Sequence, residues 1–261
     1  MKELLVIKIG GQVIDDIPTL QLVLKQLAGS STPFILVHGG GKLATQLSER
    51  LGIETKMIEG RRITDAETLN VVTMVYGGLI NKLLVAQLQA RGKNAIGVTG
   101  ADHNLMLAKK REHPTIDFGF VGDVTAVNAA GFQSLLENGA VPIMAPLTHD
   151  GNGQLLNTNA DTIAQSIATA MSQYYQTTLV FGFEKAGVLR DMTDESTLIP
   201  YIDETSYVQL KESGVVQAGM IPKLDNAFTA LQAGVKRVII GKADRLTDLL
   251  DGKTGTTIQR G

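Results

Sequence analysis

A chain of 261 residues, 44% hydrophobic and 19% charged, can bury a substantial core, which excludes disorder as its main character. A formal net charge of −2 supplies no bulk attraction to nucleic acid or to an anionic membrane, so any anion binding has to be built locally. There is no cysteine, which removes disulfides, thiolate metal sites and a cysteine nucleophile.

The opening "MKELLVIKIGG" has too short an apolar run before Lys8 for a secretory signal and reads as a first strand, the basis for expecting a cytoplasmic protein. A helix over about residues 19–27, the strand "FILVHG" with its glycines, and a helix over about 43–51 follow. The stretch "RRITDAETLNVVTMVYGGLINKLLVAQLQARG" is the longest helical segment. Thr64 and Glu67 have capping-box spacing and Gly92 suits the stop, while Leu69, Val72, Tyr76, Leu79, Leu83 and Leu88 recur at roughly helical spacing. That face serves the core or, with Gly77 and Gly78 permitting close approach, a two-fold contact between copies.

After the strand "AIGVTG", the region up to "QLLN" reads as short strands and turns around one helix, and "TNADTIAQSIATAMSQYY" as a helix started by Asn159 or Thr158. The uncharged residues 162–183 hold too many polar groups for a membrane span and read as a buried helix followed by a strand. A second set begins with a strand at 178–181 and continues with helices over about 207–213 and 222–233, the strand "RVIIG" and a final "TTIQ". The alternation predicts βαβ units and a mostly parallel sheet covered on both faces. A boundary near Tyr175 divides lobes 1–175 and 176–261; with no Pro/Ser-rich linker there, the two are expected to share one sheet.

Glycines stand where strands should end, and ligands of open parallel sheets bind outside those carboxyl ends. Gly10 and Gly11 after the first strand, and Gly39, Gly40 and Gly41 after the second, can direct backbone N–H groups at an anion, helped by the helices that follow. Familiar phosphate loops fail: in "HGGGKLA" Lys42 precedes Leu43 rather than Ser or Thr, and "GNGQLL" is a plain Asp150–Asn152 turn. In "NTNAD", Asn157, Asn159 and Asp161 alternate, so they either converge on a ligand or merely cap a helix. Lys223 of "GMIPKLDNA" sits at a helix start, against the dipole, a conflict that a bound anion would resolve. Arg61 and Arg62 invite either a carboxylate or a surface ion pair. His38, beside the glycines, reads as structural, held by a backbone partner.

Together "KIGG", "HGGG", "GRRIT", "NTNAD" and "GMIPK", in this order and spacing, resemble the amino acid kinase family, within it the members acting on N-acylated glutamate. The likeness runs from about Leu4 to Ile258. It implies an α/β fold with an open, mainly parallel sheet in an αβα sandwich. The acylated amino acid and the dimer contact would belong to lobe 1–175, and ATP, with Mg²⁺ carried by the nucleotide, to lobe 176–261. By the same resemblance Lys8 and Lys223 stabilise the phosphoryl group in flight, and Asp161 holds the lysines. Gly10 and Gly11 offer N–H groups to the phosphate, Gly40 and Gly41 also touch substrate, Arg62 grips the α-carboxylate, and Asn157 and Asn159 meet the amide end. No metal site on the protein itself is implied.

Where many relatives carry a Ser-Asp or Thr-Asp pair this chain reads "FGFEKAGVL", leaving Glu184 and Lys185 as candidates for nucleotide contact. The activity implied is phosphorylation of the γ-carboxylate of N-acetyl- or N-succinylglutamate in arginine biosynthesis. Another small-molecule kinase of the same fold and a catalytically silent metabolite sensor are the alternatives. Arginine-inhibited hexameric members resemble this chain plus an N-terminal helix; with a first strand starting by Leu4, a homodimer without arginine feedback is expected. Partners of nucleic acid or membrane type are not expected.

Overall fold

Runs of Val, Ile, Leu and Phe without an intervening turn signal produce strands buried on both faces, and "LLVIKI", "FILVH" and "TTLVFGF" lie side by side in the middle of the molecule. The computed structural model describes residues 1–58, 61–191, 193–214 and 220–261. Residues 59–60 of "EGRRIT" and Gly219 of "GMIPK" lie outside these, as does the side chain of Arg61.

In chain order the first half comprises β1 (Glu3–Ile9), α1 (Gly11–Asp15), α2 (Ile17–Gly29), β2 (Phe34–His38), α3 (Gly41–Arg50), β3 (Met57–Ile58), β4 (Arg61–Arg62) and α4 (Ala66–Val72). A π-helical segment Thr73–Ile80 joins α4 to α5 (Asn81–Gln89), followed by β5 (Ala95–Val98), β6 (Met106–Lys110), β7 (Gly122–Val127) and α6 (Ala129–Glu137). Then come β8 (Val141–Met144), β9 (Leu147–His149), β10 (Leu155–Asn157) and α7 (Ala160–Met171). The remainder is β11 (Gln176–Phe183), β12 (Tyr201–Ile202), α8 (Glu204–Glu212), α9 (Ile221–Gln232), β13 (Arg237–Lys242), α10 (Leu246–Leu250) and β14 (Thr256–Ile258).

One eight-stranded sheet, in the order β12-β14-β13-β11-β1-β2-β8-β5, is parallel except where β13 meets β14. β1 pairs with β11 from Glu3↔Gln176 to Ile9↔Gly182, so strands from both sides of Tyr175 form a single sheet. Alternation along β1 divides its side chains. Leu4 and Val6 join a core with Ile163 and Ile167 of α7 and Leu224 and Leu231 of α9, whereas Leu5, Ile7 and Ile9 join a second core with Leu24 of α2 and Val72 and Leu84 of α4 and α5. Helices cover both faces, the αβα sandwich implied by the resemblance. A smaller sheet, β10-β9-β6-β7, and the β3-β4 ribbon stand beside it.

Some local expectations change. The cap of the long helix is Asp65, whose carboxylate accepts from Thr68 N at 2.8 Å, rather than Thr64, which is fully buried. The π turn, with its i→i+5 bonds, shifts the helical register, so Leu79 and Leu83 stay 51% and 55% exposed while Val75, Ile80 and Leu84 enter the core. By length and composition the stretch Ala66–Gln89 could cross a membrane, but Val71, Val72, Val75, Ile80, Leu84 and Leu88 of it pack in the core. α3 begins at Gly41 itself, directly after the glycine turn.

Candidate active site

The two glycine turns pack backbone against backbone. A Cβ on Gly11 would lie 3.5 Å from Gly40 N and 3.6 Å from Gly41 N, and one on Gly39 only 3.1 Å from Gly11 N. A side chain on Gly39 would press the turns apart, while one on Gly11 would only reach ordinary contact; the amides of Gly11, Gly40 and Gly41 share one small region at the N-terminal ends of α1 and α3. Gly40 is required twice over: its φ is +154°, and a Cβ would collide with Ile80 and approach Tyr76 to 3.1 Å. Gly10 departs from the expected role as a donor. Its N–H is already given to Gly182 O at 3.2 Å, so its contribution is open space, with nothing within 4 Å of where a Cβ would stand.

Beside these amides lies a cavity of about 210 Å³ whose lining includes Gly40, Gly41, Arg62, Asn157 and Asn159, the full set expected to touch substrate. Arg62 is 8% exposed and donates to three neutral acceptors: Thr55 Oγ1 at 3.1 Å, Gly41 O at 2.9 Å and Thr45 Oγ1 at 2.8 Å. These bonds fix the guanidinium while leaving its charge for an incoming anion. Asn157 donates to Thr64 Oγ1 at 3.0 Å, and that hydroxyl donates to Arg62 O, so one buried threonine ties the asparagine to the arginine. Asn159 spends its carbonyl on capping α7, accepting from Asp161 N at 2.8 Å and Thr162 N at 3.1 Å. Capping and cavity lining, alternatives in the sequence, coexist because the amide has a second end.

Tyr76 and Arg111 also line the cavity and were not legible in the sequence. Burial pushes the Tyr76 phenol up, against the pull of the nearby Arg62 charge. Arg111 is held by Asp123, its Nε 3.1 Å from both carboxylate oxygens. Arg111 reads as part of an ordinary basic run, and only the pairing of β6 with β7 brings it to Asp123 and the cavity.

Lys8 shares the parity of Leu4 and Val6 and so projects on the side of α7 and α9. There its ammonium meets Asp161, in the first turn of α7, as an ion pair at 2.8 Å without the alignment of a hydrogen bond. Lys223, in the first turn of α9, holds its ammonium 5.0 Å from the ring centroid of Phe183, at the carboxyl end of the strand beside Lys8. Both lysines therefore occupy the same face and the same end of the sheet.

A second cavity, of about 200 Å³, is lined by Gln12, Val13, Asp16, Thr19, Phe183, Glu184, Lys242 and Asp244. Glu184 lines it and Lys185 does not. With acidic residues at 16, 184 and 244 against one lysine at 242, its wall carries net negative charge, which opposes a polyphosphate. Among the described residues no group of three His, Cys, Asp or Glu side chains is placed to hold a metal ion.

Known proteins resemble this chain in sequence and fold. The pattern of the amino acid kinase family fits residues 3–242. Acetylglutamate kinase of Parabacteroides distasonis is 54% identical over 94% of this chain and 96% of its own, and that of Bacteroides thetaiotaomicron 52% identical over 99% of both. The solved structure of smu.665 from Streptococcus mutans superposes with a TM-score of 0.79 at 29% identity, covering 98% of each chain. Giardia lamblia carbamate kinase bound to AMP-PNP shares the fold, with a TM-score of 0.68 at 15% identity over 100% of this chain and 99% of that one. Sequence pattern, relatives and sheet order converge: this chain belongs to the amino acid kinase family.

Proposed function

We propose that this protein is an acetylglutamate kinase, transferring the γ-phosphoryl group of ATP to the γ-carboxylate of N-acetyl-L-glutamate in the second step of arginine biosynthesis. The observation that carries this reading is one substrate-sized cavity lined by Gly40, Gly41, Arg62, Asn157 and Asn159, with the Lys8–Asp161 pair made in the same first turn of α7 that Asn159 caps, though neither of the pair lines the cavity. Relatives named for that activity, more than half identical over nearly the whole chain, support it.

A γ-carboxylate, with a reference pKa of about 4.3, is ionised at neutral pH and needs no general base. What opposes reaction is repulsion between that anion and the γ-phosphate of MgATP, the second substrate. Lys8 and Lys223 and the amides of Gly11, Gly40 and Gly41 supply fixed positive charge and donors where negative charge gathers, and they need not reorganise as it moves. Asp161 keeps Lys8 in place. Arg62 holds the α-carboxylate, and Asn157 and Asn159 orient the amide. In this reading residues 1–175 bind the acylated amino acid and residues 176–261 the nucleotide, with Lys185 a better candidate than Glu184 for the phosphates.

The acetyl group is favoured over succinyl because Arg111, the other guanidinium on the cavity, is already matched by Asp123 and has little charge left for a further carboxylate. The protein works as a homodimer in the cytoplasm, with small molecules and its own copy as partners. Trapping the acyl phosphate with hydroxylamine tests the activity. Hydroxamate is expected with MgATP and N-acetylglutamate, less with N-succinylglutamate and least with free glutamate; none with any of the three rejects the reading and leaves a different acceptor or a sensor.

A further inference from the structure

His38 closes β2 beneath the glycine turn, is fully buried, and has no part in the steps above. Its Nδ1–H donates to Gly39 O at 2.8 Å. A carbonyl can only accept, so the proton resides on Nδ1, and Nε2 is left to accept from Asn81 Nδ2 at 3.3 Å. Asn81, 1% exposed at the start of α5, also donates to Ile143 O of β8 at 2.8 Å, and its Oδ1 accepts from Lys82 Nζ at 3.1 Å. Gly97 of β5 leaves room for this amide; a Cβ there would strike Asn81 Oδ1. Burial holds the imidazole down at about 4, so it is neutral at working pH and keeps one tautomer.

The carbonyl of Gly39 and the N–H of Gly40 belong to one planar trans peptide and point in opposite directions. Holding that carbonyl on the imidazole aims the Gly40 N–H away from the core, toward the space shared with Gly11 and Gly41. The peptides on either side are anchored by Gly39 N–H to Ile9 O at 3.0 Å and by Ala44 N–H to Gly40 O at 3.1 Å, while the Gly39–Gly40 peptide between them, with glycine on both sides, is free of side-chain restraint and takes its carbonyl bond from His38.

We infer that His38 and Asn81 are positioning residues of phosphoryl transfer, their hydrogen-bonded relay from α5 to Gly39 O presetting the Gly40 N–H toward the transferred phosphate. The inference rests on the kinase reading. It makes an unusual demand on substitution. Asn at position 38 places its Nδ2–H where Nδ1–H was and keeps the bond to Gly39 O; Gln reaches toward the Nε2 position and loses it.

His38→Gln and His38→Leu are therefore expected to lower kcat by about 10- to 100-fold with KM for the acylated amino acid altered by about threefold or less, and His38→Asn to recover most of the loss. Equal activity in the Asn and Gln variants, or wild-type kcat in either Gln or Leu, overturns the proposal. Thermal melts separate unfolding from loss of positioning. Should the substituted proteins fail to fold, the nitrogen NMR signature of isotope-labelled histidine in the wild type still decides: an Nδ1–H tautomer is expected and an Nε2–H tautomer refutes the relay. Absence of kinase turnover in the wild type would instead indict the kinase reading. In that case titrating inorganic phosphate tests the relay at the Gly40 amide resonance, expected to shift in wild type and His38→Asn but not in His38→Gln; equal shifts in both variants refute it.

Discussion

Lys8 is a charge set into a strand flanked by Val37 and Phe181, where the Asp161 carboxylate at 2.8 Å and partial exposure to solvent offset its burial. Because its charge acts most where negative charge peaks, Lys8→Ala and Lys223→Ala are each expected to lower kcat by about 100-fold or more in the hydroxamate assay. Unaltered turnover in either would remove that lysine from the chemistry. Arg62→Lys should act differently. A lysine cannot reproduce the fork that spans Thr45, Thr55 and Gly41 O, so KM for the acylated amino acid should rise about tenfold or more while kcat changes little. His38 gives a stability signature. The folded protein holds it near 4 against 6.5 when unfolded, so between those values the unfolded chain binds the extra proton and stability falls as pH drops from 6.5 toward 4, by up to about 3 kcal/mol. Urea titrations at both ends should show a shallower fall in His38→Asn. Lys8 and Arg62 could be picked out in the sequence because a charge inside an apolar run, or beside a helix start, is conspicuous by itself. Thr64, Tyr76 and Arg111 could not, since each takes its role from a neighbour distant along the chain.

Among the elements, the helices and central strands follow from periodicity and glycine punctuation, and the places where that reading slips are physically specific. The i→i+5 turn at Thr73–Ile80 leaves no mark in a pattern read at 3.6 residues per turn, and it is this segment that brings Tyr76 and Ile80 against Gly40. Gly40→Ala would force a side chain into Ile80 at an unfavourable φ, and a loss of folded protein or of measurable turnover is expected, checked by thermal melts alongside the assay. At α7 the cap and the carboxylate proposed to hold Lys8 are neighbours: Asn159→Ala should remove about 1 kcal/mol of stability by losing the bonds to Asp161 N and Thr162 N. It should also raise KM, since the same side chain lines the cavity. A KM equal to that of the wild type would confine Asn159 to capping.

Over the whole molecule, Met74, Leu79 and Leu83 remain 53%, 51% and 55% exposed along one long helical run, beside the edge strand β5 with Ile96 at 39%. An unpartnered apolar stripe of that length beside an open sheet edge is the face on which the proposed homodimer would form. Leu79→Glu with Leu83→Glu is expected to halve the mass measured by light scattering; an unchanged mass would move the interface elsewhere. The sheet has a further consequence. The ladder from Glu3↔Gln176 to Ile9↔Gly182 welds the part carrying Arg62 to the part carrying Lys223, the two sides that the proposed reaction would bring together. A swinging hinge at that seam would have to rip parallel rungs apart. If the kinase reading holds, admission and release of reactants would fall to gradual coiling of the whole ribbon or to the helices and hairpins on its rim, rather than to the seam itself.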